Sequence, residues 1–301
     1  MTTLKTAIGS YGHTKALKSG DIAPTGVTLE FEEVAPIIGA FRRMCRGQEF
    51  DVSEMAITTY LCAKANKLPF TAIPVFLVRA FHNGAVQINS KAVSNPKDLE
   101  GKKVGVRAWT VTTGVWAKDI LQNEYGVDLD KINWVVADEE HVLEYKTPDN
   151  VTFEKGANLG ELLAAGEVAA AIGIPKVESP DVAPLAGNAG EWYKKTGVFP
   201  INHTLVVKDS LLAANPTLGK DLYDAFKAAR DKYVAGLDAS TDEADAPFKR
   251  TAGMVGGDPL PYGIEANRKA MEAIIAAATS QHILTQPTKV EDVFVAGSAG
   301  W

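Results

Sequence analysis

In the stretch "VGVRAWTVTTGVW", Val104 to Trp116, an arginine and three threonines stand between an apolar run and the start of an amphipathic pattern. The spacing predicts Arg107 at the carboxyl end of a strand, with Thr110, Thr112 and Thr113 at the amino end of the following helix, where Thr112 or Thr113 can cap the first turn. Such a junction gathers unpaired backbone N–H groups and the positive end of the helix dipole. Threonine hydroxyls add donors, and a guanidinium can grip a carboxylate through two parallel bonds. The chemistry expected is the holding of an anion. The competing explanation is a capped helix whose arginine pairs with a nearby Asp or Glu. The sequence has no G-x-G-x-x-G or Walker pattern, so a small organic carboxylate is a better candidate than a nucleotide phosphate.

Other residues suit a site for such an anion. Arg79 ends the apolar run "FTAIPVFLV" and precedes Phe81, His82 and Asn83; a charge at the exit of a buried strand marks either a crevice or the first exposed turn. "FDVSEMAITTYL" places Ser53, Glu54 and Thr58 at and after a strand. There Glu54 is either a buried acid with a raised pKa or a carboxylate in the first turn of a helix. In "TGVFPINHTLVV", His203 lies where a polar loop enters a buried strand. Because imidazole titrates near neutrality, His203 is the best general acid/base candidate among the five histidines.

Three further patterns carry less. Arg42, Arg43 and Arg46 in "RRMCRG" read as the solvated face of a helix, and Asp138, Glu139, Glu140 and His141 in "ADEEHVLEY" as a solvated acidic loop. No second histidine sits at a ligand-like offset, so no metal is predicted. No G-x-S-x-G elbow is present, and Cys45 and Cys62 have no nucleophile context.

Short apolar runs alternate with helical patterns, which predicts an α/β protein with largely parallel sheets. Strands are expected at 4–8, 27–31, 52–56, 72–78, 103–107, 132–136, 169–174 and 204–207. Helices are expected at 35–46, 115–125, 159–165, 218–235 and 264–280. The pattern loosens at about 82–101 and 188–200. These seams suggest one lobe of residues 1–90 plus 203–301, interrupted by an inserted lobe of residues 91–202, with a ligand cleft between them.

The chain has 301 residues, 46% of them hydrophobic and 23% charged, enough for a sizeable core. Its net charge of -6 gives no footprint for nucleic acid or an anionic membrane. Two cysteines cannot make a disulfide framework. The first twenty residues lack the basic end and apolar stretch of a secretory signal, from which a cytoplasmic protein is expected, an exported mature form with a new initiator Met being the alternative.

Four segments carry a family likeness: "FDVSEMAITTYL", "IPVFLVRAFHNGAVQIN", "DLEGKKVGVRAWTVTTGVWAKDILQNEYGVD" followed by "INWV", and "TGVFPINHTLVVKD". Together they resemble the 4,5-dihydroxyphthalate decarboxylase family, which is similar in fold to the type II periplasmic solute-binding proteins. The resemblance implies two α/β lobes with a ligand between them, and non-oxidative loss of CO2 from a hydroxylated aromatic acid without an organic cofactor. Within it, Arg79 matches the arginine after the "IPVF" strand, and His203 the histidine of "FPI-x-H". Two departures fall in the expected site: His82-Asn83 stands where the family has an arginine-histidine pair, and the turn "RAWTVTTG" differs.

On this reading Arg107 and the threonines of its turn, with Ser53, bind the substrate, and Arg79 takes a second carboxylate or a phenolate. His203 moves the proton, with Glu54 and His82 as candidate partners. The partner expected is a small aromatic carboxylate, with a homo-oligomer left open. A solute-binding protein for a small organic carboxylate is the rival reading, since fold does not decide function.

Overall fold

The computed structural model describes residues 2–301. Its strands are β1 (Thr2–Ala7), β2 (Val27–Phe31), β3 (Val52–Ala56), β4 (Phe70–Arg79), β5 (Val86–Asn89), β6 (Lys103–Val106), β7 (Asn133–Val136), β8 (Val151–Phe153), β9 (Ala170–Ile172), β10 (Val182–Pro184) and β11 (Ile201–Lys208). They form two sheets, ordered β2-β1-β3-β11-β4 and β10-β5-β9-β6-β7-β8. Sheet position follows from composition. "VSEMA" of β3 is buried at every residue and lies at the centre of its sheet. By contrast β2 alternates more and less covered residues at one edge, with only Val27 buried, as a strand covered on one face does. At the opposite edge β4 tolerates Pro74, which has no N–H to give a further strand.

The helices are α1 (Lys15–Lys18), α2 (Ile38–Gly47), α3 (Ile57–Ala65), α4 (Thr112–Asn123), α5 (Leu159–Ala165), α6 (Ala189–Thr196), α7 (Asp209–Ala214), α8 (Leu218–Leu237), α9 (Ala246–Val255), α10 (Arg268–Ser280) and α11 (Val290–Val293). Among the described residues no helix is long and apolar enough to cross a membrane. The junction between the sheets is made chiefly by α4. Trp116 is fully buried and its indole N–H donates to Ile201 O at 3.0 Å, on the first residue of β11. Gln281, just past α10, donates to Val115 O, and Trp109 donates back to Gln281 O, both at 2.9 Å. Gly114 lets the first turn of α4 close on β6, since a Cβ there would stand 2.8 Å from Val106 Cγ2.

Several expectations need correction. Both sheets are mixed: β11 runs antiparallel to β3 and β4, and β5 antiparallel to β9 and β10. Residues 86–89, expected on the first-lobe side of residue 90, pair with strands of the second sheet. The chain therefore crosses between Arg79 and Val86, and returns between Pro184 and Ile201. The helix after Arg107 begins at Thr112 itself, with Val111 at the N-cap and no side chain capping it. Trp116→Ala should remove this bridge between α4 and β11 and destabilise the protein by about 3–5 kcal/mol. Urea unfolding measures it; a loss below about 1 kcal/mol would contradict the packing described.

Candidate active site

Glu54 is in the middle of the central strand β3 and fully buried, rather than in a first helical turn. In the antiparallel register His203 of β11 faces Ala56 and Leu205 faces Glu54. Glu54 and His203 are therefore diagonal neighbours on one face of the sheet. His203 Nδ1 lies 2.6 Å from Glu54 Oε1, and against a carboxylate that nitrogen carries the proton. The same oxygen accepts from Tyr11 OH at 2.7 Å, and Oε2 accepts from Gly9 N at 2.7 Å. Gly9 is needed where it stands, because a Cβ there would come within 2.3 Å of the Tyr11 ring.

These donors decide the charge of the acid. Burial pushes the Glu54 pKa up, but His203, Gly9 and Tyr11 together outweigh it and hold it below the usual carboxylate range. The raised pKa expected of a buried acid is thus reversed. Tyr11, partly buried against the carboxylate, is pushed well up and keeps its proton. Fixed in one tautomer by Glu54, His203 has an Nε2 with no protein partner among the described residues, and its side chain is 19% exposed. Phe41 of α2 meets the ring edge-on, with centroids 5.0 Å apart.

Of the other expected site residues, the structure leaves only Arg107 and Thr113 free of hydrogen-bonded protein partners. Arg107 is partly exposed, and its nearest carboxylate oxygen, on Asp138, is 3.9 Å from Nε, beyond hydrogen-bond range. No hydrogen bond engages the Thr113 hydroxyl, which lies in the first turn of α4. Thr110 instead gives its hydroxyl to Glu140 at 2.6 Å, and the N–H groups of Trp109 and Thr110 donate to the same carboxylate at 2.5 and 3.1 Å. The turn after Arg107 thus already holds an anion of its own lobe. Thr112 hydrogen-bonds Thr58 across the junction at 2.8 Å, and Ser53, fully buried, gives its hydroxyl to Glu54 O.

Arg79 is not brought to Arg107. Its guanidinium donates to Phe199 O, Pro261 O and Asn267 Oδ1 and stacks over the Phe199 ring at 4.6 Å. Burial lowers its pKa to about 9. His82 is buried and kept neutral, with its pKa pushed down to about 4. Asn202 Oδ1 already accepts from Ala80 N, so His82 Nε2, 3.1 Å from it, is the donor. That bond braces the residue next to His203 rather than leaving His82 free to move a proton.

Tyr11 and Phe41 were not singled out by the residue pattern, and Glu140, expected in a solvated acidic loop, instead holds the Trp109–Thr110 turn. Tyr11 follows β1, whose last residues, Thr6 and Ala7, pair with the first of β3, Val52 and Ser53, so the loop after β1 runs beside Glu54. The acidic loop is partnered: Glu139 pairs with Arg46 at 3.2 Å and Lys155 at 3.4 Å. Among the described residues no His, Cys, Asp or Glu side chains group in threes as metal ligands do.

Comparison with known proteins sets this geometry in context. No family model matches the chain. A 4,5-dihydroxyphthalate decarboxylase of Comamonas testosteroni is 29% identical over 322 aligned positions, covering 97% of this chain and 96% of that one. A second protein of that name, from Pseudomonas putida, is 29% identical over 216 positions, 64% of this chain and 81% of its own. In sequence the chain is similar to these two proteins named 4,5-dihydroxyphthalate decarboxylase. Among solved structures, the periplasmic aliphatic sulphonate binding protein SsuA of Escherichia coli superposes with a TM-score of 0.58 over 99% of both chains at 12% identity. The alkanesulfonate-binding protein SsuA of Xanthomonas axonopodis pv. citri, bound to MOPS, gives 0.56 over 98% of both at 14%. The chain has the two-lobed fold of the periplasmic binding proteins.

Three buried histidines make a prediction about pH. His13, His82 and His141 are all held neutral by burial, each with its pKa pushed down from 6.5 to about 4. Below pH 6.5 the unfolded chain binds protons that the folded chain refuses, so stability falls as pH drops from 6.5 towards 4. The slope is on the order of 1.4 kcal/mol per pH unit for each histidine. Urea unfolding at pH 7, 6 and 5 measures it; constant stability between 6.5 and 5 would contradict the burial of these rings.

Proposed function

We propose that this protein is a non-oxidative decarboxylase of a hydroxylated, phthalate-like aromatic acid. The observation that carries the proposal is the His203–Glu54 pair, with Nδ1 committed to a buried carboxylate and Nε2 left unpartnered. A carboxylate behind an imidazole fixes its tautomer and stabilises the imidazolium. Binding a carboxylate requires no such pair; moving a proton does.

In the reaction, His203 enters as the imidazolium, with its second proton on Nε2. It gives that proton to the ring carbon that bears the carboxylate, with electrons supplied by a ring hydroxyl, and is left as the Nδ1–H tautomer that Glu54 holds. The bond from that carbon to the carboxylate then breaks, CO2 leaves, and its electron pair restores the aromatic ring. His203 regains its proton from the phenol or from solvent. Arg107 holds a carboxylate, Phe41 offers an aromatic edge, and closure of the lobes keeps water from the dearomatised intermediate. The two curated relatives carry the name of this reaction, and their similarity supports it.

Purified protein incubated with hydroxylated phthalates and benzoates should release CO2. His203→Ala should cut turnover by about 10²–10⁴-fold, the range of general acid catalysis, with folding intact by circular dichroism. Arg107→Ala should raise KM about tenfold or more. Ligand-induced thermal stabilisation with no gas from the wild type would sink the decarboxylase reading in favour of a binding protein. Full turnover by His203→Ala would remove His203 from the reaction.

A further inference from the structure

Beside the Glu54–His203 pair lies a second group of charges, of which the mechanism above uses only Arg107. Arg42, next to Phe41 on α2, is exposed and makes no ion pair or side-chain hydrogen bond among the described residues. Facing the same helix from the second sheet's side is His141, which is 3% exposed and meets the Phe41 ring at 6.3 Å. Its Nδ1 is buried with no partner. Such an atom loses the hydrogen bond it would have in water.

The charged groups that act on His141 are all positive. Burial first, then Arg42, Arg107 and Arg46, push its pKa down, and no acid opposes them. Arg107 is likewise lowered by burial and by Arg42, against the pull of Asp138 and Glu140. The nearby acids are engaged elsewhere. Glu139 pairs with Arg46 and Lys155, Glu140 holds the Trp109–Thr110 turn, and Asp138 is 3.9 Å from Arg107 Nε. Arg46, also on α2, donates to Glu140 O at 2.9 Å, which ties this helix to the loop that carries His141. Two guanidinium groups without a hydrogen-bonded acid, around a buried imidazole with a free nitrogen, repel one another until an anion arrives.

We propose that Arg42, Arg107 and His141 form an oxyanion site that bridges α2 and the second sheet and takes a carboxylate or a comparable oxyanion. From the decarboxylase reading the site borrows only the expectation that the ligand is an organic acid. Two consequences follow from its geometry. An anion held from both sides draws the lobes together, and His141 takes up a proton on binding, since only the imidazolium offers both ring N–H groups as donors.

The test is calorimetric titration of the wild type, Arg42→Gln, Arg42→Lys and His141→Gln with 3,4-dihydroxybenzoate, uncharged catechol and inorganic phosphate, in two buffers of different ionisation heat. Arg42→Gln and His141→Gln should each weaken the benzoate about tenfold and leave catechol unchanged. Arg42→Lys should recover part of the loss. Proton uptake by the wild type should vanish in His141→Gln. If Arg42→Gln binds both benzoate and phosphate as the wild type does, the site is overturned. A response with phosphate alone keeps the site and overturns its assignment to the substrate. Should His141→Gln fail to fold, the exposed Arg42 variants carry the test. Because titration needs no turnover, absence of CO2 release would count against the decarboxylase reading and leave this result standing.

Discussion

A carboxylate in the middle of a central strand is the constraint around which the site is arranged. Glu54 cannot remain ionised without donors, because the desolvation of a buried, unpaired charge exceeds what a marginally stable domain tolerates. The fold supplies them from separate strands and loops: Gly9 N and Tyr11 OH from the loop after β1, and His203 Nδ1 from β11. What satisfies the acid also fixes the histidine. The tautomer, the ring orientation and the unpartnered Nε2 all follow from one buried charge finding its partners.

The second sheet contributes through α4 and the turn before it. Glu140 occupies the N–H groups of Trp109 and Thr110, so the anion that the turn is built to hold belongs to the protein. Beneath the turn, fully buried Lys118 donates to Trp109 O and stacks on the Trp109 ring, which fixes the segment from below. Arg107 is left at the end of a rigid turn with its charge only loosely balanced by Asp138. The same two-lobed fold serves sulphonate-binding proteins. In this chain it carries the buried Glu54 paired with His203.

Much of this was legible in the chain, and the failures have physical causes. β2 and β3 stand at the residues expected because alternation and an unbroken buried run are strong signals. The helix Ile57–Ala65 leaves no such trace: seven of its nine residues are buried, so it has no polar face to reveal its period. β5, β8 and β10 are three or four residues long, too short for a pattern. His203 and Arg107 were found from the types of residue at strand ends. Tyr11, Phe41 and the fate of Arg79 were not, because they depend on which loops meet in space. A strand-end arginine reads alike whether it faces a cleft or, as here, ties three segments together.

The most direct test of the central claim is a crystal structure of the protein with a hydroxybenzoate that it does not turn over. A groove of about 650 Å³ behind Tyr11, lined by Lys15, Lys18 and Phe248, offers a competing place for such an acid and includes neither His203 nor Arg107. The account predicts the ligand between the lobes, with its carboxylate on Arg107, its ring against Phe41 and His203 Nε2 within reach of the carbon that bears the carboxylate. An acid seated in the groove behind Tyr11, with His203 and Arg107 untouched, would contradict it.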